Sequence, residues 1–156
     1  MGMKASHGQG CTYRVEVKTG DLDWAGIGCG TVRLDLCATS NSCFLIVPDL
    51  ASYGTLPPPY FRRRNLDVFT FPVSQPCQRA CRIIITLNPG SCRPGWYLDY
   101  VNVQAFDGDV LKFGEHIDVH QWLAICSKLQ VAGNQCPTNA APAQLASVLS
   151  LQSAVA

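Results

Sequence analysis

Two stretches of the sequence decide the fold: YFRRRNLDVF at residues 60–69 and PGWYLDYVNV at residues 94–103. In each, a turn-forming or polar segment leads into apolar residues that alternate with polar ones. This spacing is typical of a half-buried β-strand, because successive side chains of a strand point to opposite faces of the sheet. The two stretches therefore predict strands whose entry loops carry aromatic and basic side chains.

The same two-residue period recurs along much of the chain. It is clearest at residues 13–17 and 32–36, where apolar and polar side chains alternate strictly. Further short apolar segments lie at residues 43–47, 66–71, 82–87, 96–103, 110–113 and 117–123. About eight short strands, separated by Gly, Pro, Asn and Asp, predict an all-β antiparallel sandwich.

The size of the chain fits a single domain. Its 156 residues, 47% of them hydrophobic, suffice to bury a substantial core. We expect the sandwich to occupy residues 11–126, after a flexible N-terminal segment at 1–10. Residues 127–156 are rich in Ala, Ser, Leu and Gln, which favours a flexible or weakly helical tail.

Charge and hydropathy exclude two classes of protein. A net charge of +1 is too balanced for a nucleic-acid binder that works by counterion release. No run approaches the ~20 apolar residues of a transmembrane helix. The nine cysteines favour an oxidising compartment. Residues 1–10 contain no apolar signal core, so we expect either an endoplasmic reticulum or secreted protein whose signal was removed, or a cytoplasmic one.

Residues 11–124 resemble the PLAT domain, also called the lipoxygenase homology domain, in its stand-alone plant stress-associated and embryo-specific form. The matching segments are CTYRVEVKTG at 11–20, the stretch at 60–69, GWYLDYVNV at 95–103 and WLA at 122–124. The resemblance implies an eight-stranded β-sandwich of two four-stranded sheets. It also implies a module that binds lipids, membranes or partner proteins, usually without catalysis, in connection with plant stress.

The candidate binding residues lie in loops. Trp24 stands beside glycine in the predicted loop after the first strand, where a tryptophan either inserts at a lipid interface or folds back over the sandwich end. Arg62, Arg63 and Arg64 form a cationic run suited to phosphate groups or an acidic protein, or simply to a solvated sheet edge. Tyr60 precedes this run and joins the candidate lipid- or partner-binding set.

Two carboxylates, Asp21 and Asp23, are weak candidates for a calcium site, with Asp67 or Asp99 as further ligands if the fold brings them close. Calcium requires 6–8 oxygen ligands, so solvated turn carboxylates are an equally simple interpretation. Some members of the resembled family hold calcium with an acid near the second strand. The corresponding residues 25–30 contain no acid, so we expect no cofactor unless calcium binds elsewhere.

The histidines His116 and His120 support an alternative function. In this interpretation the protein is a small enzyme or ligand carrier of plant metabolism, with a pocket on the sandwich and a histidine or cysteine as the catalytic group. Together with CQRAC at 77–81, the two histidines also imitate a zinc-ligand pattern. On a regular strand, however, they would lie ~13 Å apart, too far for one ion.

Cysteine pairing is not determined by the sequence. The resembled family carries a pair spaced like Cys77 and Cys81, which implies a disulfide between them. Cys11 and Cys136 flank the predicted domain, and a bond between them would join its two ends. An odd number of cysteines leaves at least one thiol without an intramolecular partner.

Overall fold

The structure is a computed structural model that describes residues 10–27, 30–88, 95–123, 130–134 and 136. It is built from antiparallel β-strands and one short 3-10 helix, Leu50–Tyr53, which begins after Asp49. The strands are β1 (Cys11–Thr19), β2 (Thr31–Thr39), β3 (Ser42–Val47), β4 (Leu66–Val73), β5 (Arg82–Asn88), β6 (Trp96–Asp107), β7 (Val110–Leu123) and β8 (Gln130–Asn134).

The strands form two antiparallel sheets. The first has the order β4-β1-β6-β7 and the second the order β3-β2-β5-β8. Each sheet has four strands, and the short β8 adjoins β5 at the edge of the second sheet. The predicted all-β sandwich is confirmed. Within the described part of the chain, no helix has the length and apolarity needed to cross a bilayer.

The core lies between the sheets and follows the predicted alternation. In β1, Tyr13, Val15 and Val17 are buried while the residues between them face outward. The second sheet contributes an unusually apolar strand, β5, in which Ile83, Ile85 and Leu87 point into the core. Burying large aliphatic side chains contributes roughly 1.5–3 kcal/mol each, which makes this interior the main source of stability.

Two boundaries differ from the prediction. The strands predicted at residues 110–113 and 117–123 are one continuous strand, β7. The apparent gap arises from Gly114, whose position is open: an added Cβ would meet no atom within 4 Å. The predicted domain end at residue 126 is also wrong, because β8 pairs with β5 and Cys136 is buried. Residues 1–9 and 137–156, including most of both predicted flexible segments, lie outside the described residues.

The disulfide pairing also requires correction. All four predicted cysteines are oxidised, but the bonds are Cys11–Cys77 and Cys81–Cys136. The expected Cys77–Cys81 and Cys11–Cys136 bonds do not form because β4 runs antiparallel to β1, so the chain leaving β4 passes beside Cys11. A third bond joins Cys37 to Cys43 across the β2–β3 turn. Cys29, Cys92 and Cys126 lie outside the described residues.

Non-reducing peptide mapping is expected to recover these three bonds. Replacing both members of Cys81–Cys136, which are separated by 55 residues, should lower the free energy of unfolding by about 4 kcal/mol on the loop-entropy relation. Replacing both members of Cys37–Cys43, separated by only 6 residues, should cost about 2 kcal/mol less. Urea unfolding measures both values. A linked Cys77–Cys81 peptide would contradict the pairing.

Candidate functional site

The predicted binding residues meet at one end of the sandwich, where β1 ends and β4 and β6 begin. We call it the loop end. Two segments form it: the β1–β2 loop, described for residues 20–27, and the segment 54–65 before β4. Backbone hydrogen bonds join them, from Arg64 N–H to the Gly20 carbonyl at 3.1 Å and from Ile27 N–H to the Phe61 carbonyl at 2.9 Å.

The β1–β2 loop is also bound to the start of β6. Tyr97 N–H donates to the Ala25 carbonyl at 2.9 Å, and Gly20 N–H donates to the Tyr97 carbonyl at 3.0 Å. Side chains cannot be added freely here, since a Cβ on Gly20 would lie 2.4 Å from the Tyr97 ring. The loop is therefore fixed on two sides by the strands and segment around it.

Trp96 supports the loop end from inside. Its ring is fully buried, and its indole N–H donates to Thr19 Oγ1 at 2.9 Å. The Phe61 ring packs edge-to-face on Trp96 with centroids 5.2 Å apart, and stacks on Phe69 at 5.6 Å. Aromatic residues from both decisive sequence stretches, Phe61, Phe69 and Trp96, thus form a single cluster beneath the loops.

Asp67 holds the segment before β4 in place. Its buried carboxylate accepts a 2.7 Å hydrogen bond from Phe61 N–H. Phe61 has φ 62°, a left-handed conformation that costs a non-glycine residue about 1–3 kcal/mol. Burial raises the pKa of Asp67, although hydrogen bonds from Phe61 and Asn65 oppose that rise. Asp67 is therefore occupied with the backbone and does not join the predicted calcium ligands.

Trp24 lies at the tip of the loop end, with 77% of its surface exposed. Its exposure excludes the alternative in which it folds back over the sandwich. It also has a left-handed φ of 64°, stabilised by a turn in which Ala25 N–H donates to the Leu22 carbonyl at 3.0 Å. Leu22, 44% exposed, and Leu66 add apolar surface at the same end.

The predicted cationic run and the predicted calcium ligands bind each other. Asp21 Oδ1 accepts hydrogen bonds from Arg63 Nε at 2.8 Å and Arg64 Nε at 2.6 Å. Asp23 Oδ1 accepts one from Arg63 Nη1 at 3.0 Å. The hydrogen bond from Arg64 is the largest cause of a lowered pKa of Asp21, and Arg63 adds to it. We call these four side chains the arginine–aspartate lock.

Arg62 differs from its two neighbours. Its side chain is exposed, and among the described residues it forms no ion pair within 4 Å. Lys18 also reaches this region, where its Nζ donates to the Arg64 carbonyl at 2.5 Å. The three arginines therefore do not act as one group: Arg63 and Arg64 hold the loop, and Arg62 faces solvent.

Tyr60 packs against its neighbours and does not offer its ring freely to a partner. Its hydroxyl donates to the Leu56 carbonyl at 2.6 Å, and its ring packs edge-to-face on Phe69 at 5.5 Å. A Cβ on Gly54 would lie 2.2 Å from the Tyr60 ring, so the ring is tightly enclosed on that side. The predicted role of Tyr60 in binding is therefore not supported by its contacts.

The two predicted catalytic histidines lie on the outer face of the first sheet. His116 Nε2 lies 2.8 Å from Asp118 Oδ1, and His120 Nδ1 lies 2.7 Å from Asp99 Oδ1. The other ring nitrogen of His116 contacts Asn102. Both imidazoles are about half exposed on an open sheet face. This placement differs from the concave pocket that the catalytic interpretation requires.

The two histidine rings are closer together than they would be on a regular strand. His120 Nε2 lies 3.7 Å from Asp118 Oδ1, the oxygen that His116 contacts. The strand is not regular here: its register with β6 shifts between Leu98 and Tyr100, and His120 has φ 50°. This bulge draws the two rings together. Even so, no group of three or more metal-ligating side chains suits a metal ion in the described residues.

Sequence reasoning missed an aromatic pair beside the loop end. Tyr97 and Trp122 are cross-strand partners on β6 and β7, and their rings form an edge-to-face contact at 5.3 Å. Trp122 is partly exposed. The sequence contained a signal for an exposed ring here, because Trp96 and Tyr97 are adjacent and must point to opposite faces of a strand. One ring of such a pair is buried and the other is exposed.

Comparison with known proteins identifies the family. The chain is 29% identical over 137 residues to PLAT domain-containing protein 2 of Arabidopsis thaliana. The aligned region covers 83% of this chain and 73% of that protein. It is 34% identical over 83 residues to PLAT domain-containing protein 3 of the same plant. This aligned region covers 51% of this chain and 80% of that protein. The chain belongs to the PLAT domain family. No protein-family model matches it.

Solved structures place this PLAT domain in a wider fold group. A crystal structure of an engineered LOX superposes with a TM-score of 0.59 at 16% identity, over 90% of this chain. Coral 8R-lipoxygenase, described as having calcium activation via a C2-like domain, gives a TM-score of 0.58 at 16% identity over 90% of the chain. The chain spans about a fifth of each of those proteins. At this identity the likeness concerns the fold alone.

The buried carboxylate of the PLAT domain generates a pH-dependent prediction. We expect Asp67→Asn to gain stability relative to the wild type as pH rises above about 4. Because burial raises the pKa of Asp67, the stabilisation is fully present below the ordinary value of 3.8 and is lost as pH rises through the raised value. Asparagine does not ionise and escapes this loss.

Urea unfolding of both proteins at about pH 4 and pH 7 measures the effect. Other carboxylates are common to both proteins, so the difference between them isolates Asp67. A difference that stays constant or reverses with pH would contradict the assignment. As a control, Asp67→Ala leaves the buried Phe61 N–H without its acceptor and should cost about 1–3 kcal/mol.

Proposed function

We propose that the loop end of this PLAT domain attaches the protein to membrane surfaces that carry anionic phosphate headgroups. The observation that carries the proposal is the position of Trp24. A large aromatic side chain is 77% exposed at the tip of a loop that hydrogen bonds fix on two sides. An apolar ring that an ordered loop holds in solvent gains free energy when a partner surface covers it.

Trp24 suits the interfacial region of a bilayer because its ring is apolar and its indole N–H is polar. Leu22 lies in the same loop and adds apolar surface. Since the loop is already ordered, binding does not have to supply the free energy of ordering it. Burial of a large apolar side chain contributes roughly 1.5–3 kcal/mol.

Electrostatic attraction adds to this insertion. Apart from the buried Asp67, the loop end carries four cationic side chains, Lys18 and Arg62–Arg64, against the two carboxylates of the lock, an excess of two positive charges at its surface. Arginine binds phosphate through a planar, bidentate fork, and no described residue forms an ion pair with the fork of Arg62. Each excess cation near an anionic surface contributes about 1 kcal/mol. Together with tryptophan insertion, this supports reversible rather than permanent attachment.

As part of the same proposal, we place the protein in the endoplasmic reticulum or outside the cell. Its disulfides support this location, because such bonds persist in oxidising compartments and are rare in the cytosol. The stress-associated role implied by the family resemblance belongs to this proposal as well. The protein would carry out that role at the membrane surface.

Vesicle co-sedimentation tests the attachment. We expect Trp24→Gly to weaken binding to vesicles of phosphatidylserine and phosphatidylcholine roughly tenfold, from loss of an inserted ring. Glycine suits φ 64°, so the loop retains its conformation. Arg62→Gln should weaken binding about fivefold, and less at high salt.

Matched controls lie towards the opposite end of the sandwich. Leu111 is 51% exposed beside the β6–β7 turn, and Arg79 pairs with Glu115 at 2.8 Å. Leu111→Ala and Arg79→Gln should leave vesicle binding unchanged. If Trp24→Gly and Arg62→Gln bind vesicles like the wild type, the proposal is wrong. If the wild type ignores vesicles but captures a protein through Trp24, the loop end is a protein-binding surface instead.

A further inference from the structure

We infer that Arg63 and Arg64 serve as built-in counter-ions for the β1–β2 loop, so that this domain orders its loop end and binds membranes without calcium. The membrane part of this inference rests on the proposed function. The calcium part rests only on the arginine–aspartate lock. Both parts concern how the charge of two loop carboxylates is neutralised.

The lock already places guanidinium groups against the carboxylates that a cation would need. Asp21 Oδ1 receives two guanidinium N–H donors, and Asp23 Oδ1 receives one. Charge-assisted hydrogen bonds of this length are among the stronger polar contacts in proteins. A calcium ion would have to displace these guanidinium donors before it could bind the Oδ1 atom of Asp21 or of Asp23. The lowered pKa of Asp21, caused chiefly by Arg64, shows that the arginines favour the ionised carboxylate.

In the part of the loop end that the structure describes, the remaining carboxylates are too few to form a calcium site. The ion takes 6–8 oxygen ligands at about 2.3–2.6 Å. Asp67 is buried against Phe61 N–H, and Asp99 contacts His120 on the outer sheet face. Residues 25–27 of the loop contribute no acid. The described residues of the loop end therefore do not fit a calcium ion, and its cationic excess opposes one.

The lock also explains how two loops distant in sequence stay together. Arg63 and Asp21 are 42 residues apart, and the backbone bond from Arg64 N–H to the Gly20 carbonyl lies beside their ion pair. A cation bound between loops would serve the same purpose, by bringing carboxylates of one segment against oxygens of another. Here the cation is covalently part of the second segment, so its occupancy does not depend on calcium concentration.

Calorimetric titration with calcium chloride tests the calcium part in solution. The wild type should show no binding heat up to about 1 mM calcium, the range of extracellular calcium modules. Binding to vesicles of phosphatidylserine and phosphatidylcholine should change less than about twofold between EGTA and that calcium concentration. Saturable calcium binding, or calcium-stimulated vesicle binding, would overturn the inference.

Variants of the lock separate the two possible roles of its carboxylates. If Asp21 is a partner of arginine, Asp21→Asn frees positive charge and should strengthen binding to anionic vesicles several-fold in EGTA. If Asp21 were a calcium ligand, the same change would abolish a calcium-dependent increase. Arg79→Gln, which breaks an ion pair elsewhere, should alter neither binding nor its response to calcium.

The outcomes also distinguish this inference from the proposed function. A wild type that binds neither calcium nor vesicles contradicts membrane attachment but upholds the lock as a replacement for calcium. A wild type that binds vesicles only with calcium upholds membrane attachment and overturns the lock. Vesicle binding that is equal with and without calcium, and stronger in Asp21→Asn, upholds both.

Discussion

The loop end depends on the burial of Trp96 beneath two hydrogen-bonded segments. Its indole N–H is satisfied by Thr19 inside the core, so the ring can remain fully buried without an unpaired donor. Phe61 packs on that ring, and its left-handed backbone turns the chain towards the β1–β2 loop. The β1–β2 loop that carries Trp24 is hydrogen-bonded to Phe61 through Ile27 N–H, and is thereby joined to this aromatic cluster.

This arrangement separates the residues that hold the site from those that face solvent. Asp21, Asp23, Arg63 and Arg64 neutralise one another and fix the two segments. Left-handed conformations at Trp24, Phe61 and Arg64 lie within these two segments. Backbone strain of this kind persists only where the surroundings over-determine it, and it often marks functional sites. The features left for a partner to contact are the exposed Trp24 and the excess of positive charge around it.

The sequence predicted the sandwich because strand periodicity is a local signal, and β1, β4 and β6 carry it strongly. It did not predict β8, whose five residues, QVAGN, give little strand signal, although the strand pairs with β5. The sequence left open whether Trp24 is exposed or folds back over the end of the sandwich. The lock could not be foreseen, since calcium ligands and arginine partners look alike in sequence, and only the fold brings residues 42 positions apart into contact.

Binding through Trp24 requires a loop end that is rigid before any partner binds. Site-resolved amide hydrogen exchange of the free protein, in EGTA, tests it most directly. The N–H groups of Ile27, Arg64 and Tyr97 donate across the segments, and we expect them to exchange as slowly as amides within the sheets. Exchange at rates typical of an open loop would contradict the account, because Trp24 would then have no fixed position from which to bind.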